Sequence, residues 1–110
     1  MSVRRKSTRN QRQNRSLEEI LHILRQHLPE LTFRYKVKSL GVFGSYVRGE
    51  ARKTSDLDVL VEFSETPDLF KFMELEQDLT TLMRIKVELV TVRALKGNIG
   101  KRILSEVVPV

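Results

Sequence analysis

Cysteine and tryptophan are absent from this chain of 110 residues, and only three prolines and five glycines interrupt it. Without cysteine there is no disulfide, no thiolate metal site and no thiol nucleophile. That absence agrees with a reducing, cytoplasmic setting. No apolar run approaches the roughly 18 residues of a membrane span, and the N-terminus lacks the apolar region of a signal peptide. Neither an anchor nor a leader is expected. The length suits one small domain with a modest core.

Acidic residues are also missing from one place. Residues 1–15 carry Arg4, Arg5, Lys6, Arg9, Arg12 and Arg15 and no acid, whereas the remaining 95 residues hold 14 basic and 14 acidic groups. The net charge of +6 therefore belongs to the N-terminal stretch, and the body is neutral. With almost no apolar side chains, residues 1–15 are expected to be a disordered basic tail. Such a tail suits contact with nucleic acid or an acidic partner, or serves as a solvated extension.

Residues 16–110 read as the folded domain. Ser16-Leu17-Glu18-Glu19 has the form of a capping box. Leu17, Ile20, Leu21, Leu24 and Leu28 follow at helical spacing, and Pro29 marks the expected end. His22 and His27 lie five apart, on different faces, and read as surface histidines. Phe33 to Phe43 reads as an extended approach and a first strand. Pro67 is expected to open a helix running to about Arg84. Its many apolar residues, Phe70, Phe72 and Met73 among them, read as core, with room left for a partner interface. Lys86 to Thr91 reads as the third strand, and Lys101 to Glu106 as a short helix behind the breaks at Gly97 and Gly100.

The chemistry concentrates between Leu40 and Phe63. A strand leads into Gly44-Ser45, where backbone N–H groups can cradle a phosphate and the serine hydroxyl can donate to it. Tyr46 to Gly49 begins a short helix, and Arg48 lies within reach of a triphosphate. Asp56 and Asp58 then enter a second strand at a spacing of two, which puts both on one face. Unpaired acids are costly to bury in an apolar strand. Hard oxygen donors in such a pair suit Mg²⁺. Glu88 meets them as a third carboxylate if its strand lies beside residues 57–63. Gly-Ser alone would be a plain turn; the downstream acids give it another meaning.

Gly44-Ser45, ten intervening residues and Asp56-Leu57-Asp58 resemble the signature of the DNA polymerase β-like nucleotidyltransferases. The short chain is most similar to the minimal nucleotidyltransferases, the antitoxins of HEPN–MNT toxin–antitoxin pairs, over about Leu17 to Val110. The resemblance implies an α/β fold of the α+β type, a small mixed sheet of three or four strands with helices packed on it. It implies two Mg²⁺ ions on Asp56, Asp58 and Glu88, with Gly44, Ser45 and Arg48 at the nucleotide phosphates. Glu88 stands where the family more usually has aspartate, one methylene shorter. The implied reaction moves AMP from ATP to a tyrosine hydroxyl of a HEPN RNase toxin, releasing pyrophosphate, within a hetero-oligomer. The alternatives are an antitoxin that masks its toxin without catalysis, and a transferase acting on a small molecule or an RNA end.

Overall fold

The computed structural model describes residues 15–110. The expected basic tail lies outside them apart from Arg15, whose Nε donates to the Met83 carbonyl at 2.9 Å.

The first helix, α1 (Leu17–Tyr35), begins at the capping box: the Ser16 hydroxyl accepts from the Glu19 N–H while the Glu19 carboxylate accepts from the Ser16 N–H. It does not stop at Pro29. Proline withdraws a single helical N–H and crowds the carbonyl four residues back. Beyond it, Leu31 and Tyr35 continue the buried stripe of Ile20, Leu21 and Leu24. The Tyr35 hydroxyl is further tied to Asp78 and Glu74. Burial of side chains this large stabilises by about 1.5–3 kcal/mol each, enough to carry the helix past one lost bond. The extended approach expected from Phe33 is therefore helical, and Phe33 itself faces solvent. Lys36, with φ 61°, ends the helix in the left-handed conformation.

Four strands form one mixed sheet: β1 (Val37–Phe43), β2 (Leu57–Phe63), β3 (Val87–Thr91) and the two-residue β4 (Val108–Pro109), in the order β3-β2-β1-β4. The β1 strand runs antiparallel to β2 and β4, whereas β2 and β3 are parallel. Leu57, Val59 and Val61 alternate into the core with Val87 and Leu89, as the strand period requires. The long helix α3 (Leu69–Met83) covers that face with α1, through Leu75, Leu79 and Met83. Along the outer edge of β3, α3 offers side-chain acceptors: Thr80 Oγ1 to the Val87 N–H at 3.0 Å and Glu76 Oε2 to the Leu89 N–H at 2.9 Å.

Two boundaries differ from the expectation. Asp68 caps α3 by accepting from the Lys71 N–H at 2.8 Å, so Pro67 sits just outside the helix rather than opening it. An aspartate side chain satisfies a free helix donor, which proline has no means to do. Leu69, Phe70 and Met73 on its first turns are exposed, not core. The last helix, α4 (Gly97–Glu106), starts four residues before the expected Lys101. The short 3-10 turn Val92–Ala94 delivers the chain to it, and Gly97 supplies a positive φ at its start. No helix among the described residues is long and apolar enough to cross a membrane.

Candidate active site

Asp58 emerges on the sheet face opposite the core. Phe43, Asp58 and Glu88 are register partners across β1, β2 and β3, and so project side by side. The expected meeting of Glu88 with Asp58 is thus a consequence of the β2–β3 pairing. Asp56 precedes β2, and its charge reaches Asp58. The two aspartates nevertheless line neighbouring depressions instead of sharing one. Asp58 lines a depression of about 290 Å³ with Gly44, Arg48 and α4 residues, and Asp56 lines another with Tyr46, Lys53 and Lys86. Residue 56 lies outside the β2 ladder, so strand alternation does not dictate its direction.

Gly44 explains the closeness of the arrangement. It follows β1 with φ 83°, and a Cβ at this position would lie 2.1 Å from Asp58 Oδ2. Any other residue would meet both a strained backbone and the carboxylate. Ser45 opens the four-residue helix α2 (Ser45–Arg48), which Gly49 closes with φ 74°. Tyr46 from α2 is buried, and its hydroxyl is pushed towards a higher pKa by that burial and by the Asp56 charge.

Asp58 is the electrostatically strained member. Burial, then the charges of Glu88 and Asp56, push its carboxyl up to about 6, with the Arg48 charge acting in the opposite sense. Desolvation and like charge both disfavour the ionised form. Among the described residues no three acids or histidines converge as a ready cage. The donor set is one of hard carboxylate oxygens whose mutual repulsion a divalent cation would relieve. The residues present fit such an ion.

One member of the site had no part in the sequence expectation. Glu106, the last residue of α4, accepts from the Gly44 N–H at 2.8 Å and from Arg48 Nη1 at 3.1 Å through both oxygens. Burial acts to raise its pKa, but the Gly44 and Arg48 bonds prevail and hold it below the usual carboxylate value. Arg48 also bonds Glu50 at 3.0 Å. An acid standing immediately before an apolar terminal strand was the available signal, yet only the pairing of β4 with β1 brings it to Gly44.

The larger cavity lies elsewhere. A groove of about 570 Å³ opens beside the far ends of β2 and β3, lined by Phe63, Phe72, Leu69 and Arg93 among others. It holds neither of the paired aspartates, and its walls are mainly apolar.

Residues 24–109 match the nucleotidyltransferase domain family. The chain belongs to that family. This nucleotidyltransferase is 53% identical over 93 residues to the protein adenylyltransferase MntA of Thermococcus cleftensis, a match covering 84% of this chain and 94% of the relative. A solved structure assigned to the minimal nucleotidyltransferases superposes with TM-score 0.70 at 36% identity, covering 84% of this chain and 94% of the other. A crystal structure of a toxin–antitoxin with AMP-PNP gives TM-score 0.62 at 26% identity, over 84% of this chain and 69% of the matched chain. The nucleotidyltransferase is therefore a minimal one, with the mixed four-strand sheet of that fold.

Proposed function

We propose that this nucleotidyltransferase is a Mg²⁺-dependent protein adenylyltransferase. It transfers AMP from ATP to a tyrosine hydroxyl of a HEPN RNase toxin, and acts as that toxin's antitoxin in the cytoplasm. The observation that carries the reading is the Asp58 carboxylate set against Gly44, with Glu88 beside it on the paired strand and Arg48 in the same depression. The relationship to MntA and to a toxin–antitoxin structure with AMP-PNP supports the nucleotide and the partner.

Asp56, Asp58 and Glu88 would hold the metal. Bound as a pair of ions, Mg²⁺ would neutralise the phosphates and stabilise the attacking and leaving oxygens. Gly44, through its N–H, Ser45, through its hydroxyl, and Arg48, through its guanidinium, hold the β/γ end of the triphosphate. This fixes the α-phosphorus in line with the acceptor. The tyrosine oxygen bonds to that phosphorus, the bond to the bridging oxygen breaks, and pyrophosphate leaves with the electron pair. Glu88, exposed where Asp58 is half-buried, takes the hydroxyl proton.

Intact-mass spectrometry of the toxin after incubation with this protein, ATP and Mg²⁺ tests the reading. Added AMP masses that vanish with Asp56→Ala/Asp58→Ala support it. A toxin left unmodified in a tight complex turns the assignment to masking, a second reading favoured by the exposed Leu69, Phe70 and Met73 on α3. The basic residues 1–15 are read as a nucleic-acid contact. Their deletion should weaken binding to RNA and flatten its salt dependence, and an unchanged slope would remove that role.

A further inference from the structure

Glu106 has the chemistry of the ligand that the proposed cradle awaits. Its carboxylate is a compact anion with paired oxygens, bound by one backbone N–H and one guanidinium, the donor types that hold a phosphate. It lines the same depression as Asp58. A second acid is favoured there by the Gly44 and Arg48 bonds and by the Arg102 charge.

We infer that the Glu106 carboxylate is an internal competitor for the triphosphate: it occupies the Gly44 and Arg48 donors until nucleotide displaces it. This rests on the reading of those two residues as phosphate ligands. The backbone at Glu106 is held in place from both sides. The Val107 N–H donates to Ile103, Val108 and Pro109 pair with β1, and the Val110 N–H donates to the Leu40 carbonyl at 2.9 Å. Release is therefore a rotation of the side chain, with α4 and β4 staying where they are. Arg102, one helical turn earlier and lining the same depression, is the cation that receives the displaced carboxylate. The same competition favours departure of pyrophosphate after transfer, because the returning carboxylate refills the vacated donors.

Calorimetric titration of the full chain with Mg²⁺–ATP and with adenosine, for wild type, Glu106→Gln, Glu106→Ala and Arg48→Ala, tests the inference. Removing the competing anion should tighten ATP binding about tenfold, the worth of one charge-assisted contact. Adenosine affinity should not change, since it brings no phosphate to compete. Glu106→Gln keeps the side-chain shape and should move in the same direction, which covers the case of an Ala variant that folds poorly. ATP affinity unchanged or weaker in the folded Glu106 variants, while Arg48→Ala still weakens it, overturns the competitor and leaves the cradle standing. ATP affinity unaffected by Arg48→Ala overturns the cradle, and the inference with it.

Discussion

The two ends of the central sheet differ in what they leave unresolved. At one end, Phe63 and Phe72 meet with ring centroids 6.3 Å apart, lining a roomy apolar groove. At the other, a smaller depression gathers Asp58, Arg48 and Glu106 against the backbone of Gly44. Volume alone would choose the first as the working site. Charge chooses the second, because acids held together against solvent loss and mutual repulsion are where a ligand can change the energy most. The lesson is that strain in the electrostatics marks the candidate active site better than the size of a cavity.

The largest expected effect comes from Asp58→Asn, which should move activity and stability in opposite directions. AMP transfer, followed by intact mass over time, should fall by about two to three orders of magnitude, the scale of losing several kcal/mol of charge stabilisation. Thermal unfolding of the metal-free variant at pH 7 should shift upwards. The Asp58 carboxyl is raised to about 6, so in the ordinary carboxylate range the folded chain binds the proton that the unfolded chain has released. Stability contributed by this group therefore falls as pH rises from about 4 to about 6, and stays low above that. Asparagine escapes the loss. After discounting for solvent screening at a half-exposed site, the gain is about 1 kcal/mol, or roughly 4–8 °C. A variant no more stable than wild type at pH 7, with an equally steep acid limb, would count against the strain.

Gly44→Ala should be next in size. A methyl group within 2.1 Å of Asp58 Oδ2, on a backbone at φ 83°, displaces the carboxylate or the turn. Chemical denaturation should register a loss of about 1–2 kcal/mol, and transfer should fall with it. If the variant keeps wild-type turnover, the close approach of glycine and acid is not part of the chemistry. The smallest effect on transfer belongs to the other end of the sheet. Phe72→Ala, at the apolar groove, should cost about 1–3 kcal/mol of stability, below the usual core value because the ring is only partly buried. At a temperature where the variant remains folded, its turnover in the same mass assay should be unchanged. A turnover defect there would transfer part of the function to the larger groove.

What could be read beforehand follows the reach of each interaction. The capping box, the alternation of Leu57, Val59 and Val61, and the Gly44-Ser45 to Asp58 interval are local patterns, and each appears where the sequence put it. The pairing of Asp58 with Glu88 needed one assumption, the adjacency of two strands, and the β2–β3 register supplies it. Pro29 misled because its local cost is outweighed by tertiary burial of Leu31 and Tyr35, which no window around the proline contains. Asp56 lies one residue before β2, where the ladder does not dictate its direction, and its charge still reaches Asp58. Glu106 escaped notice for a related reason. Its contact with Gly44 spans 62 residues and depends on a two-residue strand too short to carry a pattern.

The side chains of Thr80 and Glu76 along β3 have a consequence for association. By accepting from the Val87 and Leu89 N–H groups, they occupy two of the donors a visiting strand would need on that border of the sheet. The opposite border is β4, two residues long and ending in Pro109, which has no N–H to offer. Strand addition is thereby disfavoured beside Val87 and Leu89 and at Pro109. The exposed Leu69, Phe70 and Met73 of α3 offer a protein partner a helix to grip instead.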